Sequence, residues 1–137
     1  KYTTLGNSDL TVSKICMGCM GFGDAANGQH SWTIEGTLRE IIKRGLELGV
    51  NFFDTAIAYQ CGTSEQYLGR AIRDFARRED IVIATKFLPR TAADIENGIS
   101  GQQHIQRMMD KSLQTSVWTM LTSISIICGI TKTPLQR

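Results

Sequence analysis

Two short apolar runs dominate the hydrophobic pattern of the chain. Residues 50–54 read Val-Asn-Phe-Phe-Asp, and residues 81–85 read Ile-Val-Ile-Ala-Thr. Runs of this length, rich in aromatic and β-branched side chains, are typical of buried β-strands. The pattern therefore predicts two strands of one buried sheet.

Three stretches with apolar residues every three or four positions predict amphipathic helices. They cover residues 36–48, a segment that follows a cap at Thr63 or Ser64 and includes Phe75, and a segment that begins at Ser100. Gly49 is expected to end the first helix, and Thr63 or Ser64 to cap the second. The positions that define the three helical faces are Leu38, Ile41, Ile42, Gly45 and Leu46; Tyr67, Leu68, Ala71, Ile72 and Phe75; and Ile105, Met108, Met109 and Leu113.

The segment before the first helix predicts a β-hairpin and one further strand. Residues 2–5 and 10–13 flank a cluster of turn residues, and residues 14–20 form a short apolar run that leads into Gly21 and Gly23. These glycines lack the G-x-G-x-x-G spacing of a dinucleotide-binding turn, so they predict only a tight turn or a close backbone approach.

The order of the predicted elements indicates the fold class. After the hairpin, strands and helices alternate, which predicts an α/β fold with a parallel sheet and right-handed crossovers. Three to four such β/α units, preceded by the hairpin, make a partial (β/α)₈ TIM barrel at most.

Composition narrows the class of protein further. With 137 residues, 42% of them hydrophobic and 20% charged, the chain resembles an ordinary globular domain. A net charge of +2 argues against binding to nucleic acid or a membrane surface through charge alone. The first residues contain no apolar signal core, and the uncharged run at 112–131 is interrupted by polar residues. We therefore expect a cytoplasmic protein without a membrane segment.

Ionisable side chains follow both central strands. Asp54 closes the first apolar run, Tyr59 follows in the next loop, and Lys86 comes directly after the second run. In parallel barrels the carboxyl ends of the strands form the mouth of the active site. Each residue alone has an ordinary structural interpretation, because an Asp at a strand end is often a helix or loop cap and a Tyr in a loop often serves only in packing. Their joint placement favours a catalytic role.

The other candidate residues have structural interpretations. Cys16 and Cys19 form a C-x-x-C, but residues three apart in a strand point to opposite faces. A redox or zinc pair is therefore not expected, and reduced thiols without a metal site are the interpretation we favour. His104 lies at the polar start of a helix and is expected to be solvated. Arg77 and Arg78 are interpreted as a solvated helix end.

Several short segments have residue orders that are specific enough to be compared with a known protein family. The first 13 residues, Met-Gly-Cys-Met-Gly-Phe-Gly at 17–23, Gly-Val-Asn-Phe-Phe-Asp-Thr-Ala at 49–56 with Tyr59, Ser-Glu-Gln-Tyr-Leu-Gly-Arg at 64–70 and Ala-Thr-Lys at 84–86 form one set. Together they resemble the aldo-keto reductase family, with bacterial members as the nearest likeness. The resemblance runs from Lys1 to about Gln114, and it makes residues 1–137 one partial domain of that type.

The resemblance implies an activity and a site. Aldo-keto reductases are (β/α)₈ barrels that reduce aldehydes and ketones with NADPH, using a tetrad of Asp, Tyr, Lys and His. Three members map onto Asp54, Tyr59 and Lys86, and the resemblance implies that Gly21, Asp54 and Lys86 contact the cofactor. The partner is then a small carbonyl substrate. His30 and His104 match no tetrad position.

The three mapped residues have complementary chemistry. Tyr59 would donate a proton to the carbonyl oxygen while hydride attacks the carbon. A free phenol titrates near pH 10, and a nearby ammonium favours the phenolate, so Lys86 is expected to make the phenol a better acid. Asp54 would keep Lys86 charged and oriented.

Residues 115–132 depart from the family pattern. In the family this segment is the strand that carries the tetrad histidine, whereas here Ile127 takes that place. A family-like strand can be written in codons that, read one nucleotide later, encode residues 115–131. The segment is therefore interpreted as frameshifted, with a genuinely divergent fourth strand as the alternative.

These departures shape the expected function. A half-barrel has an open parallel edge, which predicts possible self-association. Without the histidine and the later strands, we expect the chain to be weakly active or inactive. The alternatives are a non-catalytic binding or auxiliary subunit of aldo-keto reductase type, and a truncated product with no function of its own.

Overall fold

The structure is a computed structural model that describes residues 1–24, 26, 35–116 and 123–126. It opens with the predicted hairpin, in which strand β1 (Tyr2–Thr4) pairs antiparallel with strand β2 (Thr11–Ser13). The Leu5 amide donates to the Leu10 carbonyl over 2.9 Å and closes the loop. Gly6 adopts a φ of 57° in that turn, which a residue with a Cβ rarely does.

Four parallel strands form the main sheet. They are β3 (Met17–Gly18), β4 (Phe52–Asp54), β5 (Val82–Phe87) and β6 (Ser123–Ile126), in the spatial order β3-β4-β5-β6. The pairing register places Asp54 opposite both Gly18 and Ala84. Strands β3 and β4 are shorter than the apolar runs that predicted them, since β3 pairs with β4 over two residue pairs and β4 with β5 over three.

Helices connect the strands on the outer face of the sheet. They are α1 (Glu35–Glu47), α2 (Thr63–Phe75), α3 (Ala92–Glu96) and α4 (Gly101–Ser116). Helix α1 lies one residue before the predicted 36–48, α2 ends at the last residue of its predicted apolar face, and Gly49 follows α1 with a φ of 86°. Helix α3 was not predicted. It is short, and its start is a capping box between Thr91 and Asp94.

The core lies between the sheet and helices α1 and α2. Phe53 of β4 and Ile83 of β5 are fully buried, as expected for alternate strand residues that face the helices. The helical side chains that cover them are Leu38, Ile42, Leu68, Ala71 and Ile72. The apolar faces predicted for α1 and α2 are therefore confirmed, except that Ile41 of α1 is 38% exposed.

The predicted apolar face of α4 is confirmed only in part, because Met108, Met109 and Leu113 are half-buried. The buried residues of this helix are His104, Ser112 and Ser116, whereas Ile105 remains 40% exposed. Small residues explain the orientation, because a Cβ on Gly69 of α2 would collide with the Ser116 backbone. The two helices approach so closely that only short side chains fit between them.

Three further predictions also need correction. Helix α2 is capped by Gly62 without a side-chain hydrogen bond, while Thr63 Oγ1 donates to the Gln60 carbonyl over 2.7 Å. Ser64 is fully buried and bonds elsewhere. The double-arginine segment is only half solvated, since Arg78 is partly buried and donates to a neighbouring carbonyl over 2.6 Å.

Some predictions fall outside the described residues. His30 and Ile127 belong to this group, so the frameshift interpretation of 115–132 stays a hypothesis. Strand β6 lies inside that segment and pairs in parallel with β5, with Ser125 opposite Lys86. Among the helices that the structure describes, none is long and apolar enough to cross a membrane.

Candidate active site

The carboxyl ends of β4 and β5 place two charged residues next to each other. Asp54 is the last residue of β4, and Lys86 is the next-to-last residue of β5. The chain leaving β4 stays beside β5, because the Thr55 amide donates to the Ala84 carbonyl and the Ile57 amide to the Lys86 carbonyl, over 2.9 Å and 3.0 Å. These backbone bonds fix the direction in which both side chains project.

Lys86 is the centre of the site. Its Nζ donates to Asp54 Oδ2 over 2.7 Å, to the Thr55 carbonyl over 2.8 Å and to Tyr59 Oη over 3.3 Å. The ammonium also lies 4.9 Å from the centroid of the Tyr59 ring. The structure thus brings together the three residues that the sequence singled out for catalysis.

The ion pair is only partly shielded from solvent. The side chain of Lys86 is 21% exposed and that of Asp54 is 35% exposed. Burial disfavours the ammonium, but hydrogen bonds to Asp54 and Tyr59 and the charges of these groups outweigh burial and raise the pKa of Lys86. Lys86 therefore stays cationic at neutral pH, with its remaining surface open to a ligand.

An unusual turn carries Tyr59. The four residues Tyr59–Gly62 form a tight helical turn, in which Gln60 has a φ of 49° and Cys61 a φ of 54°. Non-glycine residues rarely adopt positive φ, and such residues often occur at functional sites. The turn leads directly into α2, so the position of the phenol depends on how α2 begins.

Gly21 lies in the turn after β3, on the same edge of the sheet. The carbonyl of its neighbour Met20 accepts a hydrogen bond from Gln60 Nε2 over 3.1 Å, which links this turn to the turn that carries Tyr59. The predicted role of Gly21 in cofactor binding stays a prediction. A wide cleft opens at the opposite end of the sheet, between Tyr2 and Asp80, and includes no member of the proposed tetrad.

Comparison with known proteins identifies the family. A model of the aldo/keto reductase family matches residues 14–124. The chain belongs to the aldo/keto reductase family. Among relatives, the aldo-keto reductase YhdN of Bacillus subtilis is 35% identical over 99 residues, which cover 71% of this chain and 27% of YhdN. The uncharacterized oxidoreductase YqkF of the same organism is 40% identical over 82 residues, 60% of this chain and 23% of YqkF.

Solved structures of the family agree with the fold. An aldo-keto reductase from Bacillus halodurans, described as the holo form, superposes with a TM-score of 0.76 at 33% identity. It matches 98% of this chain, which covers 42% of the Bacillus halodurans protein. The described sheet and helices are thus the N-terminal portion of a (β/α)₈ barrel, as predicted. The chain spans about a quarter of the length of YhdN.

Sequence reasoning missed a buried polar layer behind the site of this aldo/keto reductase chain. Thr85 Oγ1 donates to Glu65 Oε1 over 2.6 Å, and Glu65 is only 2% exposed. Ser64 donates to the Cys19 carbonyl over 2.8 Å and shares a 2.9 Å bond with Thr55. One signal was available, because Glu65 falls on the same helical face as the apolar residues three and seven positions later.

His104 was also misplaced by sequence reasoning, which expected it to be solvated. It is 4% exposed, its Nε2 lies 2.7 Å from the Leu88 carbonyl, and Arg107 donates to its Nδ1 over 3.1 Å. A guanidinium can only donate, so Nδ1 accepts from Arg107 and Nε2 is the atom that donates to the Leu88 carbonyl. The histidine is therefore buried and links α4 to the loop after β5. Its polar neighbours along α4 gave no indication of this burial in the sequence.

Proposed function

We propose that this chain carries the proton-transfer part of an NADPH-dependent site that reduces aldehydes or ketones to alcohols. The observation that carries the proposal is the contact of Lys86 Nζ with both Asp54 Oδ2 and Tyr59 Oη. An ammonium held between a carboxylate and a phenol supports proton donation by the phenol, because the cation favours the phenolate that remains.

The residues act on the carbonyl oxygen. Tyr59 donates its phenolic proton to that oxygen, and Lys86 stabilises the resulting phenolate across the 3.3 Å contact. Asp54 keeps Lys86 charged and pointing towards the phenol. When bound, the reduced nicotinamide supplies the hydride that the carbonyl carbon accepts, so that one proton and one hydride convert the carbonyl into an alcohol.

The donor set fits such a cofactor and substrate. The two side-chain donors, Lys86 Nζ and Tyr59 Oη, lie 3.3 Å apart. Lys86 also keeps part of its surface exposed for a carbonyl oxygen. Gly21 lies in the turn at the same edge, and it has no side chain that could obstruct a nicotinamide ring. The holo description of the Bacillus halodurans structure supports a cofactor-bound state in the family.

Named relatives suggest a class of substrate. An aryl-alcohol dehydrogenase of Pestalotiopsis microspora is 31% identical over 120 residues, 86% of this chain and 30% of that enzyme. We therefore propose aromatic aldehydes as the first substrates to test. Because the described sheet has four strands rather than the eight of a closed barrel, we expect slow turnover by this chain alone.

The test combines cofactor binding with turnover. NADPH is titrated into the purified chain while nicotinamide fluorescence is followed, and oxidation of NADPH is then measured with an aromatic aldehyde. We expect saturable binding and slow turnover that the variant Tyr59→Phe abolishes. Tyr67→Phe is the matched control, because it removes a phenolic hydroxyl from α2 outside the Lys86 contacts.

The outcomes separate the candidate functions. Turnover that survives in Tyr59→Phe contradicts the assigned role of this phenol. Saturable NADPH binding without turnover favours the alternative of a non-catalytic binding subunit. The absence of any fluorescence change rules out the cofactor part of the proposal for this chain.

A further inference from the structure

Gln60, the residue after Tyr59, combines an unfavourable backbone with a buried amide. Its φ of 49° lies in the left-handed region, and its side chain is 6% exposed. Cys61 and Gly62 also have positive φ, so three left-handed residues follow the phenol in succession. Two of them have a Cβ and therefore adopt this conformation at a cost.

The Gln60 amide joins two turns at the mouth of the site. Gln60 Nε2 donates to the Met20 carbonyl over 3.1 Å, which connects the turn after β3 to the turn that carries Tyr59. A parallel link lies beside it, because the Asp24 amide donates to Thr63 Oγ1 over 2.9 Å. Gly23 packs directly on the Gln60 side chain, where an added Cβ would lie 2.5 Å from the Gln60 Cβ.

The other end of the same amide has no bonding partner among the described residues. Gln60 Oε1 is buried and makes no hydrogen bond to any described atom. Leaving a buried acceptor unpaired is unfavourable, as is a left-handed backbone at a residue with a side chain. An apolar residue at this position would avoid the unpaired acceptor, and a glycine would avoid the cost of the left-handed backbone. The bond to Met20 is therefore the evident contribution of the Gln60 side chain.

We propose that Gln60 is a positioning residue for Tyr59, because its amide bond to Met20 holds the turn in which the phenol lies within reach of Lys86. The contact between Lys86 Nζ and Tyr59 Oη, at 3.3 Å, is the longest of the three made by the ammonium. A small displacement of the turn therefore breaks this contact first. The inference rests on the proposed function for its catalytic meaning, but the geometry it concerns exists without a ligand.

The test uses three variants of the full chain. Gln60→Met keeps the length of the side chain and removes the amide. Gln60→Asn keeps an amide, and asparagine tolerates left-handed φ, but it is one methylene too short to reach Met20. The matched control is Asn51→Leu, which removes another amide that ties two segments at the opposite end of the sheet, through the Thr11 carbonyl and the Ser13 amide.

The readout is the proton–nitrogen NMR correlation of the Lys86 ammonium, assigned by its loss in Lys86→Arg. We expect Gln60→Met and Gln60→Asn to shift or broaden this signal, and Asn51→Leu to leave it in place at comparable thermal stability. If Gln60→Met does not fold, Gln60→Asn decides alone. An unchanged Lys86 signal in the folded Gln60 variants overturns the proposal.

The same variants separate this inference from the proposed function. A chain that neither binds nor oxidises NADPH contradicts the function, yet still shows whether Gln60 controls the contact between Lys86 and Tyr59. In a chain that turns over, misplacement of the phenol lowers kcat by up to about 100-fold and leaves nicotinamide binding largely unchanged. A loss of binding with unchanged kcat contradicts the positioning role.

Discussion

Replacing the buried acid Glu65 by glutamine tests the electrostatics of the polar layer behind the site. Glu65 is 2% exposed, and burial raises its pKa above the ordinary value. The hydrogen bond from Thr85, the nearby Ser112 hydroxyl and the charge of Lys111 lower the pKa and offset this only in part. Because the folded state retains the Glu65 proton more strongly than the unfolded state, the contribution of Glu65 to stability is fully present below its unfolded pKa of about 4.3 and is lost as pH rises through the folded pKa.

The expected size of the effect follows from the contacts of the carboxyl group. In the wild type, Thr85 Oγ1 donates to Glu65 Oε1 over 2.6 Å. The substitution Glu65→Gln keeps an acceptor for this hydroxyl and removes the charge. At about pH 4 wild type and variant should therefore differ little. At neutral pH the variant should be more stable, by about 1.4 kcal/mol for each unit by which folding raises the Glu65 pKa.

Urea unfolding at about pH 4 and about pH 8 measures the difference, with an unchanged m value as the check that both states are comparable. Thr85→Val is the matched control, because it removes the donor and leaves the buried carboxyl with one bond fewer. We expect it to cost about 1–3 kcal/mol and to steepen the loss of stability with rising pH. A Glu65→Gln variant that is equally destabilised at both pH values refutes this reasoning, because it means that folding does not raise the Glu65 pKa.

Two further substitutions test the ion pair between Asp94 and Arg107 and the packing of α2 against α4. The Arg107 guanidinium, together with Thr91, holds the pKa of Asp94 well below its usual range, so its contribution to stability is present above about pH 4 and lost as pH falls further. Asp94→Asn should therefore flatten the acid limb of a circular-dichroism titration, and an unchanged limb would contradict this. Gly69→Ala should push the Ser116 backbone away and cost about 1–3 kcal/mol in urea unfolding, whereas an unchanged midpoint would show that α4 moves freely.

Local pattern was sufficient for the framework of the fold. Buried parallel strands need continuous apolar runs, and helices that cover them need an apolar stripe, so β4, β5, α1 and α2 were predictable. Asp54 and Lys86 were predictable for a related reason, because neighbouring parallel strands end at one edge of the sheet. Tyr59 also followed from its place in the motif, and the three side chains do converge on Lys86 Nζ.

The sequence alone determined which residues carry the proposed chemistry, since residue type and strand ends are local properties. Only the tertiary structure decided how they are held. Glu65 is buried against Thr85 of β5 and His104 against the Leu88 carbonyl, while small residues let α2 and α4 approach each other closely. Gln60 reaches Met20 across 40 positions of the chain. Such contacts depend on the packing of distant segments, and no local hydrophobic period contains that information.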